Sequence, residues 1–405
     1  MEYKKLGDYC NITSSKRIFA EQYVSEGIPF YRSKEIIEKN NNQNISEPLF
    51  ISKETYETIK EKFGVPKEND ILLTSVGTLG IPYIVKNETF YFKDGNLTWL
   101  KDFKKELNQK YLYYWLSSKF GYKSLTLKAI GSSQPALTID ILKKYKLFIP
   151  PLPTQQKIAT ILSAYDNLIQ NYKKQIETLQ TAASELYKEW FVRFRFPGYQ
   201  TTRFENGIPE GWKVERIGAL YDSTSGGTPS REHEEYFQNG TYPWIKTGEL
   251  KDCPIIETAE SITDEAIKHS SAKLFEKDSL IIAMYGATIG QLGINKMKAT
   301  CNQACCVLRP KKDKVFGIYY LFHFFKENRE FIIGLGNGAA QQNLSQVLIN
   351  KLKIVNPNKE ILEIFEKKES MFFEKIYLLQ QQITNLTQQR DMLLPRLMSG
   401  KQEVK

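Results

Sequence analysis

The residues of this chain that could do chemistry are basic and amide side chains in short segments rich in small residues. These segments are SSKR (14–17), YRSKE (31–35), KNNNQN (39–44), SGGTPSR (225–231) and WIKTGEL (244–250). Arg and Lys neutralise phosphates and pair with guanine edges, Asn and Gln pair with adenine, and Gly and Ser permit close backbone approach. Taken singly, each of these residues is better explained as a solvated turn residue, but their recurrence in both halves of the chain favours nucleic-acid recognition for the set.

Candidate DNA-binding residues come from these segments and from short islands that recur in both halves. In the first half they are Ser15, Lys16, Arg17, Arg32, Ser33, Lys34, Thr78, Asn96 and Gln134. In the second half they are Gly227, Thr228, Pro229, Ser230, Arg231, Lys246, Thr247, Tyr285, Thr288, Asn302, Gln303, Gln341 and Gln342.

The overall charge points to the same kind of partner. The 405 residues include 56 Lys and Arg against 46 Asp and Glu, a formal net charge of +10 with a pI of about 9.0. This balance favours a polyanion such as nucleic acid over an acidic metabolite. Charge alone leaves an ordinary basic cytosolic protein open.

A catalytic constellation is missing from the sequence. His233, His269 and His323 are scattered, without an HExxH motif or a Ser/His/Asp context. The stretches GLGNGAA and TSGGTPS match neither a GxxxxGK(S/T) phosphate loop nor a dinucleotide-binding GxGxxG turn. Methyltransferase and nuclease signatures are missing too, so we predict no catalytic residue and no cofactor on this chain.

The cysteines predict neither disulfides nor a metal site. There are five, an odd number without paired spacing, and CNQACC lacks the second CxxC or nearby His that a zinc site needs. The start MEYKKLGDYC does not have the basic and then apolar character of a leader, and no apolar run approaches about 18 residues. We therefore expect a reducing cytoplasm and no membrane segment.

An internal repeat organises the chain. GSSQPALT (131–138) recurs as GAAQQNLS (338–345), and an offset of 207 residues persists as far as Trp190 and Leu397. Upstream islands recur in the same order, such as IPFYRSKEI with YPWIKTGEL and TSVGTLGI with MYGATIGQLGI. A shared scaffold that carries divergent loops explains this pattern.

The repeated island assigns the same structural roles in both halves. We predict that Thr138 and Ser345 each cap a short helix. Leu137 and Leu344 should be buried in the core, and Pro150 and Pro357 should end the last strand. For Gln134 and Gln341 a structural hinge and a DNA contact both remain open.

Periodicity predicts the fold class. Residues 1–150 and about 205–357 mix short β-type runs, such as DILLTSVG and SLIIAMYG, with helical runs such as QKYLYYWLSSKFGY and FGIYYLFHFFKENREFII. We predict an α/β protein with two pseudo-repeated mixed α/β domains separated by two long antiparallel coiled-coil helices. The expected domains are residues 1–150 and 197–357, each followed by a long helix, at 151–196 and 358–405.

The long helices are predicted from heptad spacing. Apolar seam positions alternate by 4 and 3 residues: Ile158, Leu162, Tyr165, Ile169, Tyr172, Ile176, Leu179, Ala183, Leu186 and Trp190 in the first, and Phe365, Phe372, Ile376, Leu379, Ile383, Leu386, Leu393 and Leu397 in the second, which Arg390 interrupts. About 40 residues span roughly 60 Å. Two exposed helices without a mate are the alternative. FPGYQTTRFENGIPEGW (196–212) has the composition of a linker.

The ordered islands carry a family resemblance. They are SGGTPS, YPWIKTGEL, YGATIG, CNQACC and GNGAAQQNLS, with the helix entry IPPLPTQQKIATIL, its end ELYKEWF and the C-terminal LLPRLMSGK. Along its whole length the chain resembles the specificity subunit of type I restriction-modification systems. It departs from the pattern where NITSSKR replaces the first SGGTPS loop and where NKEILEIFEKKE opens the second helix.

The resemblance implies a function. Each globular unit would be a target-recognition domain that reads half of a split double-stranded DNA site through the major groove. The helices would set the spacer and dock two methyltransferase subunits, and two restriction subunits could join. S-adenosylmethionine and ATP would be bound by those partners, and this chain would not itself be an enzyme. A stand-alone DNA-modifying enzyme and a coiled-coil interaction protein without a DNA role remain the alternatives.

Overall fold

A computed structural model gives the structure of the chain, and it describes residues 3–41, 43, 45–131, 135–312, 317–336 and 343–398. The chain divides into two compact units. The first unit comprises residues 1–169 with 386–405, and the second comprises residues 170–385. Each long helix therefore contributes residues to both units.

The strands of the first unit form two four-stranded sheets and one two-stranded sheet. They are β1 (Tyr3–Lys5), β2 (Asn11–Thr13), β3 (Tyr23–Val24), β4 (Ile28–Tyr31), β5 (Leu49–Ile51), β6 (Ile71–Thr74), β7 (Pro82–Ile84), β8 (Tyr91–Phe92), β9 (Leu97–Lys101) and β10 (Lys146–Phe148). The orders are β2-β9-β6-β7, which is antiparallel throughout, β3-β5-β4-β8, in which β4 and β8 are parallel, and β1-β10.

Six helices accompany these strands. They are α1 (Ser33–Asn40), α2 (Lys53–Lys62), α3 (Gln109–Ser117), α4 (Lys119–Thr126), α5 (Ile139–Lys144) and the long α6 (Leu152–Tyr187), which continues as a π-helical turn over Lys188–Val192. The main core of the unit joins α3, α5 and the start of α6 to strands β6 and β9 through Leu112, Leu142, Leu162, Leu73 and Leu100.

The second unit has a related strand plan with one sheet more. Its strands are β11 (Phe204–Glu205), β12 (Ile208–Pro209), β13 (Lys213–Arg216), β14 (Tyr221–Ser225), β15 (Tyr242–Ile245), β16 (Cys253–Ile255), β17 (Ser261–Ile262), β18 (Leu280–Ala283), β19 (Leu292–Asn295), β20 (Thr300–Cys301), β21 (Cys305–Pro310) and β22 (Lys353–Asn356). The orders are β14-β21-β18-β19-β16, β17-β15-β20, β13-β22 and β11-β12. The β11-β12 hairpin lies in the segment predicted as a linker.

The helices of the second unit repeat those of the first. They are α7 (Ile217–Leu220), α8 (Asp264–His269), α9 (Ile318–Glu327), α10 (Arg329–Leu335), α11 (Gln346–Lys351) and the long α12 (Lys359–Met398). Strands β14, β21, β18 and β19 take the order of β2, β9, β6 and β7, and β15 and β20 are parallel like β4 and β8. The predicted fold class of two repeated mixed α/β domains with long helices is confirmed.

The repeated island has the structural role that its sequence predicts. Thr138 Oγ1 accepts the N–H of Ile141 at 3.3 Å, and Ser345 Oγ accepts that of Leu348 at 3.1 Å, so each caps its short helix. Leu137 and Leu344 are both 2% exposed. Strands β10 and β22 end just before Pro150 and Pro357. Gln134 and Gln341 lie outside the described residues.

Each helical run that precedes the island is broken into two helices. Ser118 ends α3 and caps α4, because its backbone is extended and its Oγ accepts the N–H of Gly121 at 2.9 Å. A Cβ on Gly121 would lie 2.0 Å from the carbonyl oxygen of Trp115, so only glycine allows α4 to pack so closely on the end of α3. In the second unit Asn328 separates α9 from α10.

The two long helices run antiparallel in both units. In the first, Arg390 Nη1 contacts Asp166 Oδ1 at 2.7 Å, so the Arg that interrupts the predicted seam is held by an ion pair. In the second, Gln180 and Ile376 line one small cavity, while Trp190 packs on Phe365 with ring centroids 5.9 Å apart. Every predicted seam residue is buried or half-buried.

Polar side chains join each globular part to a long helix. Tyr114 of α3 donates to Asp166 Oδ2 at 2.6 Å in the first unit. In the second, His323 of α9 lies 2.9 Å from Glu369 Oε2, and both side chains are almost fully buried. Glu366 accepts the backbone N–H of Tyr320 at 2.7 Å, which caps α9. Burial raises the pKa of Glu369, lowers that of His323 and raises that of Glu366 to about 7.

These carboxyls predict a loss of stability at alkaline pH. A carboxyl whose pKa is higher in the folded than in the unfolded state binds more protons when folded, so the free energy of unfolding falls as the pH rises. His323 acts in the opposite sense, but only below its ordinary value of 6.5. From about pH 6.5 to about pH 8.5 we therefore expect stability to fall, as measured by urea unfolding.

The variant E369Q tests the source of this pH dependence. Glutamine cannot lose a proton, so the decline in the free energy of unfolding above pH 6.5 should be shallower in E369Q than in the wild type. E374Q, which changes an exposed carboxyl of the same helix, is the matched control and should retain the wild-type slope. An unchanged slope in E369Q would contradict the assignment.

Candidate nucleic-acid interface

The candidate residues of the first unit meet at the ends of its strands. The loops after β2 and β4 and the turn from β8 to β9 lie side by side. Arg17 Nε pairs with Asp94 Oδ2 at 2.8 Å, and Ser33 Oγ donates to the carbonyl of Asn96 at 3.3 Å. Arg17 remains 65% exposed at this edge, so its guanidinium is available to a phosphate.

Carboxylates hold the other cations of this edge. Arg32 Nη2 lies 2.5 Å from the fully buried Glu35, whose Oε2 also accepts the backbone N–H of Arg32 at 2.7 Å. Lys34 pairs with the exposed Glu47 at 3.1 Å. The pair of Arg32 and Glu35 begins α1 as a capping box and so fixes the shape of the loop.

The remaining described candidates of the first unit differ in exposure. Lys16 donates its backbone N–H to Tyr91 Oη at 2.7 Å, and its Nζ lies 5.2 Å from the ring centroid of Phe63. Thr78 is exposed in the loop between β6 and β7, whereas Ser15 is half-buried. Lys16 and Thr78 are therefore better placed than Ser15 to reach a ligand.

A glycine pair shapes the corresponding loop of the second unit. The N–H of Gly227 donates to the carbonyl of Cys301 at 2.9 Å, and Trp244 Nε1 donates to the carbonyl of Gly227 at 3.1 Å. A Cβ on Gly227 would lie 2.2 Å from the carbonyl oxygen of Ser271. The loop therefore needs glycine for packing, and it exposes Thr228 and Ser230 beyond it, with Pro229 buried.

Two cations of the second unit share one carboxylate. Arg231 Nη2 and Lys246 Nζ each lie 2.6 Å from an oxygen of Glu260. The guanidinium of Arg231 also stacks on the ring of Phe237, with its carbon 4.1 Å from the centroid. The hydrogen bond from Lys246, with that from Arg231, lowers the pKa of Glu260. Glu249, whose Oε2 accepts the backbone N–H of Lys246 at 2.7 Å, adds a second carboxylate to this cluster.

The third loop of the second unit lies beside the other two. The N–H of Asn302 donates to the carbonyl of Ile245 at 2.9 Å, next to Lys246 and Thr247. The N–H of Met284 donates to the carbonyl of Ala304 at 2.8 Å. The loop that carries Tyr285 and Thr288 therefore starts next to the turn that carries Asn302 and Gln303. Gln303 and Tyr285 are exposed, and Asn302 and Thr288 are half-buried. Gln342, like Gln134 and Gln341, lies outside the described residues.

The carboxylates that hold the cations were not predicted from the sequence. Lys246 and Glu249 form the same capping box as Arg32 and Glu35, with a backbone N–H to Oε2 distance of 2.7 Å in each. The signal was present, since YRSKE and IKTGE both place Glu three residues after the cation. Arg32 and Lys246 thus have a structural role at the start of a helical turn in addition to the DNA contacts that their charge predicts.

Two further findings bear on the site. In the described part of the chain, no group of three or more His, Cys, Asp or Glu side chains is arranged to hold a metal ion. Among the same residues, no helix combines the length and the apolar character needed to cross a membrane.

Comparison with known proteins identifies the class. The family described as type I restriction modification DNA specificity domain matches residues 1–181 and again 209–389. The chain therefore belongs to this family of DNA specificity subunits, as its sequence predicted. Its two matches coincide with the repeat, and the description of the family assigns it a role in DNA specificity.

Individual relatives agree with this assignment. The chain is 31% identical over 347 residues to the type I restriction enzyme MjaIX specificity subunit of Methanocaldococcus jannaschii. This alignment covers 82% of this chain and 78% of the relative. It is 24% identical over 340 residues to the type I restriction enzyme HindI specificity subunit of Haemophilus influenzae, and this alignment covers 69% of this chain and 74% of the relative. The crystal structure of the S subunit of a type I restriction-modification system from M. genitalium matches with a TM-score of 0.65 at 18% identity. The match covers 98% of this chain and 95% of that structure, and it supports the fold alone.

Proposed function

We propose that this chain is the DNA-recognition subunit of a type I restriction-modification complex, and that each unit reads half of a split DNA site through the major groove. The observation that carries the proposal is the repetition of one loop arrangement with different residues. In both units, loops from the same strand ends meet around a basic residue and its capping Glu. Equivalent scaffolds with unlike loops suit two unlike half-sites.

Within this proposal the exposed cations bind phosphates and the exposed polar loop residues reach base edges. Arg17, Arg231 and Lys246 combine positive charge with partial exposure, which suits phosphate contacts. Thr78, Thr228, Ser230, Tyr285 and Gln303 project from the loops and are the candidates for base edges. Gly227, Pro229 and Ser15 act through loop shape.

The long helices set the spacing of the half-sites and dock the partners. Their outward positions are charged or polar, as at Lys174, Glu177, Lys367 and Lys368, while their seams are buried. We infer two methyltransferase subunits on these faces and two restriction subunits in the larger assembly. Those partners bind S-adenosylmethionine and ATP, and this chain binds no cofactor. The assembly methylates adenine in the cytoplasm, and in its larger form it cuts DNA with ATP.

A binding assay with and without the partner tests this proposal. We expect the chain, co-expressed with the methyltransferase subunit of its system, to bind one duplex at least about a hundredfold more tightly than unrelated DNA, with affinity falling steeply as salt rises. Fluorescence anisotropy on labelled duplexes measures both. The purified chain alone should neither methylate nor cut DNA, and turnover by the chain alone would contradict the proposal.

A further inference from the structure

An exposed face of α4 combines apolar and basic side chains. At helical spacing, Lys119, Phe120, Lys123 and Leu127 fall within about a third of a turn of one another. Phe120 is 63% and Leu127 73% exposed. The opposite side of the helix is buried through Leu125, and of this face Phe120 contacts the buried Trp115 edge-on, with ring centroids 6.4 Å apart.

The charge of this surface is one-sided. No Asp or Glu occurs from residue 109 to residue 139, and Lys119, Lys123 and Lys128 are exposed. Among the described residues none of these three lysines forms an ion pair, unlike Arg32 and Lys246. Apolar side chains flanked by uncompensated cations suit a polyanion that also offers apolar surface, which describes DNA with its phosphates, sugars and base edges.

The α4 surface lies next to the loops of the candidate interface. A Cβ on Gly80 would lie 3.2 Å from Thr126 and 3.4 Å from Tyr122, so the loop that carries Thr78 packs directly on α4. The same loop begins at Ser75, whose N–H donates to the carbonyl of Asn96 at 2.8 Å. One continuous edge therefore joins α4 to the turn between β8 and β9.

The helix of the second unit that corresponds to α4 lacks this combination. Helix α10 occupies the equivalent place, since Gly290 packs on it as Gly80 packs on α4. It exposes Phe331 to 66%, but its Arg329 is paired with Asp252 at 2.5 Å and Glu330 adds negative charge. The apolar exposure is common to α4 and α10, whereas of these two helices only α4 adds unpaired positive charge.

We propose that this α4 surface, formed by Lys119, Phe120, Lys123 and Leu127 and followed by Lys128 just beyond the end of the helix, is a double-stranded DNA contact of the first unit. The lysines neutralise phosphates, and Phe120 and Leu127 lie against sugars and base edges. This inference rests on the proposed function and extends it, because it gives the first unit a contact element that α10 does not provide in the second.

Two sets of substitutions test the α4 surface in the full chain co-expressed with its methyltransferase subunit. The probe is a labelled duplex with the site found by methylation mapping, titrated over a range of salt concentrations. F120A/L127A should weaken binding by roughly tenfold or more. K119Q/K123Q/K128Q should weaken binding and make the slope of log affinity against log salt shallower by about 0.9 for each phosphate that the lysines no longer neutralise.

Matched controls separate this surface from general charge and apolarity. Lys86 is exposed at the opposite end of the β6–β7 hairpin from Thr78, and Phe331 is the exposed aromatic residue of α10. K86Q and F331A should change the affinity by less than about twofold. All changed residues are exposed, so thermal unfolding should show a single cooperative transition in every variant, with a small downward shift only in F120A/L127A, which loses the contact of Phe120 with Trp115.

The outcomes distinguish this inference from the proposed function. If the wild type prefers its mapped duplex and both α4 variants bind as tightly, the inference is wrong and the proposed function stands. If the variants instead lose the methyltransferase subunit at unchanged DNA affinity, the surface docks protein and the inference is wrong. If the wild type has no preferred duplex, the proposed function fails first.

Discussion

Replacing Phe365 by alanine is expected to lower the free energy of unfolding of the second unit by about 3–5 kcal/mol. Phe365 has no exposed surface, and its ring centroid lies 4.8 Å from that of Phe191, 5.9 Å from Trp190 and 6.3 Å from Tyr187. It joins α12 to the end of α6, so the substitution leaves a cavity between the two long helices within this unit. Urea unfolding followed by tryptophan fluorescence measures the change.

A neighbouring residue provides the control. Met371 lies six residues further along α12, about 1.7 turns, and is 68% exposed. M371A should change the free energy of unfolding by less than about 0.5 kcal/mol. Equal effects of F365A and M371A would contradict the helix packing.

Much of this architecture was predictable because it repeats. The offset of 207 residues indicated two copies before any element was assigned, and the heptad seams indicated two helices that pack on each other. The residue type and position of Thr138 and Ser345 predicted that each caps a helix. Local chemistry and periodicity decide these features, so the sequence contains them directly.

The helix breaks were harder to predict because tertiary packing decides them. QKYLYYWLSSKFGY has helical periodicity throughout, yet Ser118 divides it and only the close approach of Gly121 to Trp115 requires the break. A single continuous helix would not have the exposed face of α4, because that face arises from the change of direction at Ser118. Phe120 and Leu127 look like core residues in the sequence, and only the orientation of α4 exposes them.

The candidate site was predictable in position but not in its electrostatics. The loops of Arg17, Arg32, Arg231 and Lys246 do lie at strand ends, as basic segments between strands should. Which cations are free and which are paired depends on distant carboxylates such as Glu260, which is 29 residues from Arg231. Sequence spacing does not contain that information.

The most direct test of the central claim is a domain exchange read out by methylation mapping. Residues 1–150 are replaced by the matching segment of a relative with a different target, and the chain is expressed with its methyltransferase subunit. Core residues that face the long helices, such as Leu112 and Leu142, are kept, because they pack in one cluster with Ile158 and Leu162. The reciprocal exchange of residues 197–357 is the matched control.

Each exchange should change one half of the methylated motif and leave the other half and the spacer length unchanged. The unaltered long helices keep the spacer, and the unaltered unit keeps its half-site. Exchange of 1–150 and of 197–357 should alter opposite halves. A motif that changes in both halves after a single exchange, or in neither, would contradict the account that each unit reads its own half of the DNA site.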